Sequence, residues 1–287
     1  MYQQKRRKKY SKRKQQVRRQ LLVIAGVLLM IIVALVSCQI QRHKKDAEVK
    51  ETTKITQQEK EEKETVETEA QRLERVKREA KENGYPEGVI DLLGKNKETI
   101  DFVEDYGEKK DDPSADTIGD DLEAGEIPQL IQWDERWGYA PYGTSIVAVS
   151  GCGPTCLSMV AAGLNEDPSI TPAKVAAYGT ENSYVDENND TYWKFMSEAG
   201  ANWNLSCYEG LLSEEQVSAE LTAGHPIICS VGPGDFTKIG HFIVLTGYES
   251  GNVTVNDPFS QKNSDKTWVY AEIADQIKAM WIYSLKE

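Results

Sequence analysis

Three residue types that together make an acyl-transfer site occur in order along this chain. A cysteine lies in Ser150-Gly151-Cys152-Gly153-Pro154-Thr155, a histidine in Gly240-His241-Phe242-Ile243-Val244, and a carboxylate in Val255-Asn256-Asp257-Pro258. A thiol attacks a carbonyl only as the thiolate, so a catalytic cysteine needs a device that ionises it near neutral pH. The positive end of a helix dipole and a neighbouring imidazolium both serve. An imidazole titrating near its usual value of about 6.5 takes and returns the proton, and a carboxylate on its second nitrogen fixes the tautomer. The chemistry these residues suit is cleavage of an amide through a thioacyl intermediate.

Local structure has to bring them together. Gly151 and Gly153 let backbone and substrate approach the sulfur, and Pro154 suits a first helical turn, where its missing N–H costs nothing. Leu157, Met159, Val160 and Ala161 extend an apolar helix that predicts burial, with Cys152 at its N-terminus. Helices are further expected over 172–178 and 192–199, and strands over 226–231, 242–248, 253–255 and 279–284. Helices first and antiparallel strands second predict an α+β fold. Glu249-Ser250-Gly251-Asn252 reads as the turn joining the His241 and Asp257 strands. A plain two-residue turn at Ser250-Gly251 pairs residue 257 with 244 and puts Asp257 on the face opposite His241. The triad therefore requires a bulge or a longer turn; without one, Asp257 only caps the Asn256-Asp257-Pro258 turn.

Charge is distributed unevenly along the 287 residues, whose formal net charge is −12. Residues 1–20 carry ten of the 34 Lys and Arg and no acid, leaving 24 basic against 46 acidic groups in 41–287. This acidic bulk excludes a nucleic-acid role for that portion. Between the two lies the apolar run Leu21 to Val36, which with Ser37 to Ile40 reaches the ~20 residues that span a bilayer, and its basic flank puts the N-terminus in the cytoplasm. The run reads as an uncleaved signal-anchor. A cleaved signal peptide, or lipoprotein processing at Leu35-Val36-Ser37-Cys38 with Cys38 acylated, are the alternatives. All three place the acidic bulk outside the cytoplasm. The expected organisation is a basic tail over 1–20, a transmembrane segment over 21–40, a charged stalk over 41–69, a small helical subdomain over 70–110, an acidic linker over 111–126 and a globular domain over 127–287.

Outside the cytoplasm Cys152, Cys156, Cys207 and Cys229 have the alternative of forming two disulfides in any of three connectivities, which would abolish the enzyme. Cys156 on the buried helix face and Cys229 in an apolar strand instead suit free thiols. His43 in the stalk and His225 between Gly224 and Pro226 read as solvated, and a satisfied histidine at a strand start is the structural alternative for His241. No spacing of ligand residues suggests a metal site, and no cofactor is expected.

Further motifs carry a family likeness: Pro128-Gln129-Leu130-Ile131-Gln132-Trp133-Asp134-Glu135-Arg136-Trp137, Gly151-Cys152-Gly153-Pro154-Thr155, Gly240 to Tyr248, and Asn256-Asp257-Pro258. Through them residues 127–287 resemble the papain-like cysteine peptidases related to bacteriocin-processing, double-glycine leader peptidases, in particular the stand-alone branch. Residues 85–110, with Tyr85-Pro86-Glu87 and Phe102-Val103-Glu104-Asp105-Tyr106, resemble an accessory region that precedes such domains. The resemblance implies a papain-like α+β fold and a peptide or protein substrate. It implies Cys152 as nucleophile, His241 as general base and Asp257 as the group that orients the imidazole. The tetrahedral oxyanion needs donors, which the Cys152 backbone N–H and an amide side chain supply. Transporter-linked relatives carry a Gln a few residues before the Cys, where this chain has Ser145-Ile146-Val147-Ala148-Val149; Gln132 is the candidate instead, its alternative being an ordinary polar residue. Trp133, Trp137, Trp193 and the 232–240 segment are expected to line a cleft or to pack under loops. Two other functions suit the same residues: an amidohydrolase acting on cell-wall peptides, and a non-catalytic binding module that keeps the fold.

Overall fold

The structure, a computed structural model, describes residues 67–287. The basic tail, the apolar run, the stalk and His43 lie outside the described residues. Among the described residues no helix is long and apolar enough to cross a membrane. Glu69–Glu287 form one compact unit.

Three helices open it: α1 (Glu69–Glu82), α2 (Glu87–Lys95) and α3 (Ile100–Lys109). Each has one apolar face, and Val76, Ala80, Val89, Leu92, Leu93, Phe102 and Val103 meet in a shared core. Arg72 and Arg75 on α1 pair with Asp101 and Glu104 on α3 across its rim. That core also takes in Tyr139, Ala148, Val149, Trp133 and Phe259, so the helices pack onto the rest of this unit.

A short hairpin, β1 (Pro141–Tyr142) with β2 (Ser145–Ile146), leads into the single turn α4 (Val147–Ser150) and then α5 (Cys152–Asn165). Every residue of α5 from Gly153 to Gly163 is buried, as its unbroken small and apolar sequence requires. Next come α6 (Pro172–Glu181), capped by the Thr171 side chain, and α7 (Trp193–Glu198). The sheet consists of β3 (Leu205–Glu209), β4 (Ile227–Val231), β5 (His241–Glu249), β6 (Asn252–Asn256), β7 (Thr267–Val269) and β8 (Ile277–Leu285). Its order is β3-β8-β4-β5-β6-β7, and every pairing is antiparallel.

Both faces of the sheet are covered. Ile228, Val244, Trp281 and Tyr283 pack against α5, α6 and α7, while Ile227, Cys229, Ile243, Val255, Met280 and Ile282 pack with Val217 and Leu221 of α8 (Glu214–Thr222). This alternation is the period of two that a strand imposes on its side chains. It also decides the disulfide question: Cys229 lies on the opposite face from Cys156, and all four described cysteines are free. The expected α+β architecture is present, with differences of detail. The sequence reading omitted β3, α8 and β7, and β8, expected over 279–284, lies inside the sheet between β3 and β4.

Candidate active site

The nucleophile helix is isolated from the turn that precedes it. Gly151 stands between α4 and α5, and a Cβ there would lie 2.5 Å from the Val147 carbonyl, so only glycine fits this join. As the first residue of α5, Cys152 has a backbone N–H with no acceptor inside its own helix. The Ala148 carbonyl, which a continuous helix would offer to that N–H, instead accepts the Gln132 side chain at 2.8 Å. The same Gln132 nitrogen makes only a long 3.5 Å approach to the Val147 carbonyl, and the amide oxygen is buried without a partner.

His241 opens β5 and Asp257 follows β6. Their hairpin turns through Ser250 and Gly251, both at positive φ, with Glu249 opposite Asn252. That is the plain two-residue turn, and the required correction comes higher in the ladder. Gly247 pairs with Thr254 but Leu245 with Val255, so Thr246 is a bulge and Val244 faces Asn256. Adding that residue places Asp257 on the His241 face. The Nε2 of His241 meets Asp257 Oδ1 at 2.7 Å, with both side chains buried.

Asp257 is held from all sides. Its Oδ1 also accepts the Phe259 N–H at 2.9 Å, its Oδ2 accepts the Asn263 amide at 2.8 Å, and its own N–H donates to Ser264 Oγ. Asn263 and Ser264, which hold Asp257, are absent from the expected site residues. Their signal was a run of short polar residues after Asn256-Asp257-Pro258, a pattern shared by ordinary turns.

Cys152 lies near enough to the same imidazole to act on it, favouring its charged form alongside Asp257. With Nε2 held by Asp257, Nδ1 is the ring nitrogen that remains for proton exchange with a thiol. Burial works against charging His241, but the hydrogen bond and charge of Asp257, joined by Cys152, outweigh it and lift the imidazole to about 10. The fold thus brings Cys152, His241 and Asp257 together and sets Gln132 beside the turn before the nucleophile. His225 is elsewhere, paired with Glu220 at 2.8 Å. Among the described residues no cluster of His, Cys, Asp or Glu is arranged to hold a metal ion.

Apolar surface flanks the thiol. Gly153 abuts Thr191 and Met196, and after Thr191 come Tyr192 and Trp193, each half exposed. Trp193 stands edge-on to Trp281, with centroids 5.7 Å apart, and Ile239 is exposed in the approach to His241. Trp137 is buried with its indole N–H on the Ile131 carbonyl, and Trp133 belongs to the core shared with the helical subdomain, so of the three tryptophans considered only Trp193 presents surface here.

Residues 125–286 match the model of the Peptidase_C39-like family. The chain belongs to that family. Its relatives are papain-like cysteine peptidases, which agrees with the α+β architecture and with the resemblance carried by the Cys152, His241 and Asp257 motifs. Among solved structures, the chain is similar to the peptidase domain of Streptococcus ComA, a bifunctional ABC transporter of a quorum-sensing pathway. That match has 18% identity, covers 48% of this chain and 93% of that one, and gives a TM-score of 0.37. It is also similar to a C39-like peptidase from Bacillus anthracis, with 14% identity, 58% and 98% coverage and a TM-score of 0.39. None of the curated proteins matches the chain.

A raised His241 makes stability depend on pH. Folding takes up a proton wherever the folded value, about 10, lies above the unfolded value of about 6.5. The stabilisation is complete below pH ~6.5 and is lost as pH rises through ~10. Urea unfolding of wild type and His241→Asn at pH 6 and pH 10 should show wild type losing its advantage, on the order of a few kcal/mol, at the alkaline end. An advantage independent of pH would contradict the ion pair.

Proposed function

We propose that this chain is a peptidase that cleaves peptide bonds through a thioacyl-enzyme on Cys152, with His241 as general acid and base and Asp257 orienting it. The observation that carries this reading is the buried 2.7 Å pairing of Asp257 with His241 Nε2 while the imidazole also engages Cys152 at the start of a buried helix. The thiolate adds to the scissile carbonyl, forming the C–S bond and a tetrahedral oxyanion. The N–H of Cys152 and the second N–H of Gln132 are the donors for that oxygen. Collapse expels the amine, which takes the proton from His241 Nδ1. Water then attacks the thioester as His241 accepts its proton, and the carboxylic acid and free thiol are regenerated.

The reading includes the membrane. Residues 21–40 hold the chain as a signal-anchor with the N-terminus in the cytoplasm and the peptidase domain outside, supported by the apolar run and its basic flank. Protease applied to intact cells that leaves the domain uncut would contradict this placement.

Competition among the cysteines for limiting iodoacetamide, mapped by mass spectrometry, tests the catalytic reading. Cys152 is expected to label at least ~10-fold faster than Cys207 at pH 7 and to lose that lead in His241→Ala. Labelling of Cys152 no faster than Cys207 would leave a binding module that keeps the peptidase fold.

A further inference from the structure

The turn that carries Asp257 is gripped from outside the peptidase segment. Phe259 is the meeting point. Its N–H donates to Asp257 Oδ1 at 2.9 Å, and its ring packs in the core of the helical subdomain, edge-on to His241 at 6.4 Å. Its carbonyl accepts two donors, Asn96 Nδ2 at 2.7 Å and Trp133 Nε1 at 2.8 Å. Two residues after Asn96, the two carboxylate oxygens of Glu98 accept the N–H groups of Gln261 and Lys262 at 3.0 and 3.1 Å. Those are the first residues of α9 (Gln261–Ser264), whose last two residues, Asn263 and Ser264, hold Asp257. A carboxylate on such a first turn satisfies N–H groups that have no acceptor within the helix.

Asn96 and Glu98 are themselves fixed. They lie between α2 and α3, Asn96 accepts the Glu98 N–H at 3.0 Å, and its amide also donates to Glu98 Oε2 at 2.9 Å. Both precede the segment that matches the peptidase family, which begins at 125.

We propose that the helical subdomain is a working part of the active site, in which Asn96 and Glu98 are positioning residues that hold the 258–262 turn and thereby set the orientation of Asp257 and His241. This rests on the triad reading given above. The two residues touch neither substrate nor the reacting atoms. They act by limiting the rotation of a carboxylate that must stay on one imidazole nitrogen while the other exchanges protons with sulfur. Glu98 bonds the Gln261 and Lys262 N–H groups and not His241, so its effect on that imidazole travels through the turn.

The test is the pH–rate profile of Cys152 alkylation by iodoacetamide in the full-length chain, for wild type, Asn96→Asp, Glu98→Gln, the double variant and His241→Ala, with thermal melting recorded for each. Asn96→Asp replaces the donor to Phe259 with an acceptor, and Glu98→Gln keeps the shape but leaves one oxygen for two N–H groups. The double variant is expected to stay folded, to react about 10-fold more slowly at pH 7, and to have its profile displaced about one pH unit toward that of His241→Ala. Glu98→Gln alone should fall between the two. A folded double variant whose profile coincides with wild type, while wild type remains His241-dependent, overturns the proposal and spares the triad. Wild type that reacts no faster than His241→Ala overturns both. If the double variant melts below the assay temperature, Glu98→Gln alone decides between a displaced and an unchanged profile.

Discussion

Cys152→Ala is expected to lower peptide hydrolysis by about 10⁴-fold or more, because removal of a nucleophile leaves only oxyanion stabilisation and binding. No other described thiol is placed to replace it. Burial pushes Cys156 well up, and it lies within the α5 core. Burial likewise raises Cys229, on the far face of the sheet. Cys207 is pushed up to about 12 by burial, and its thiol donates to the Met196 carbonyl. Among the described cysteines only Cys152 combines partial exposure, a helix start and an imidazole partner. The measurement is digestion of a peptide library by wild type and Cys152→Ala, read by mass spectrometry under matched conditions. Because Cys152 is partly exposed at a helix start, the variant should melt close to wild type, which separates lost chemistry from lost fold. Retained hydrolysis would remove the thioacyl mechanism.

The nucleophile helix was legible because its signals are local: a glycine on either side of Cys152, a proline in the first turn, and an apolar run too long for anything but a buried helix. The His241 strand was legible for the same reason. The register between β5 and β6 was legible only as a requirement. The turn at Ser250-Gly251 fixes the pairing at its own end, but the choice of Thr246 as the bulged residue depends on packing against both faces of the sheet, which local propensity does not record. Residues that act across long sequence separations left no signal. Asn96 and Phe259 are 163 positions apart, and the sequence between α2 and α3 reads as an ordinary helix connection. Gln132 is legible only through the need for an amide donor. The structure adds that its amide takes the Ala148 carbonyl and so separates α4 from the helix that starts at Cys152. The tryptophans show the limit of composition. Three candidates for a cleft are distributed to a core, to a carbonyl bridge and to the surface, because an indole suits each environment once its N–H has a partner.

Asp257→Asn is expected to lower kcat/KM by about 10²-fold or more and to move the alkaline limb of its pH profile downward. The substitution keeps the size of the side chain and removes its charge. Oδ1 now accepts from His241 Nε2 and the Phe259 N–H without a full negative charge, and an amide nitrogen at the other position would confront the Asn263 amide that donates there. One donor is left unsatisfied in a closed site, a cost of about 1–3 kcal/mol. The pH effect has a definite sign. Burial alone would depress His241, and it is the hydrogen bond and charge of Asp257 that reverse this and carry it to about 10. If the active form is the thiolate with imidazolium, activity falls when the imidazolium loses its proton, and a weaker partner lets that happen at lower pH. The alkaline limb of kcat/KM should therefore move from near pH 10 toward the ordinary histidine range, narrowing the bell. Profiles measured on wild type and Asp257→Asn from pH 4 to 10.5 decide the point. Coincident limbs with a reduced plateau would mean that Asp257 serves only as the cap of its turn, and the bulge at Thr246 would then have no catalytic consequence.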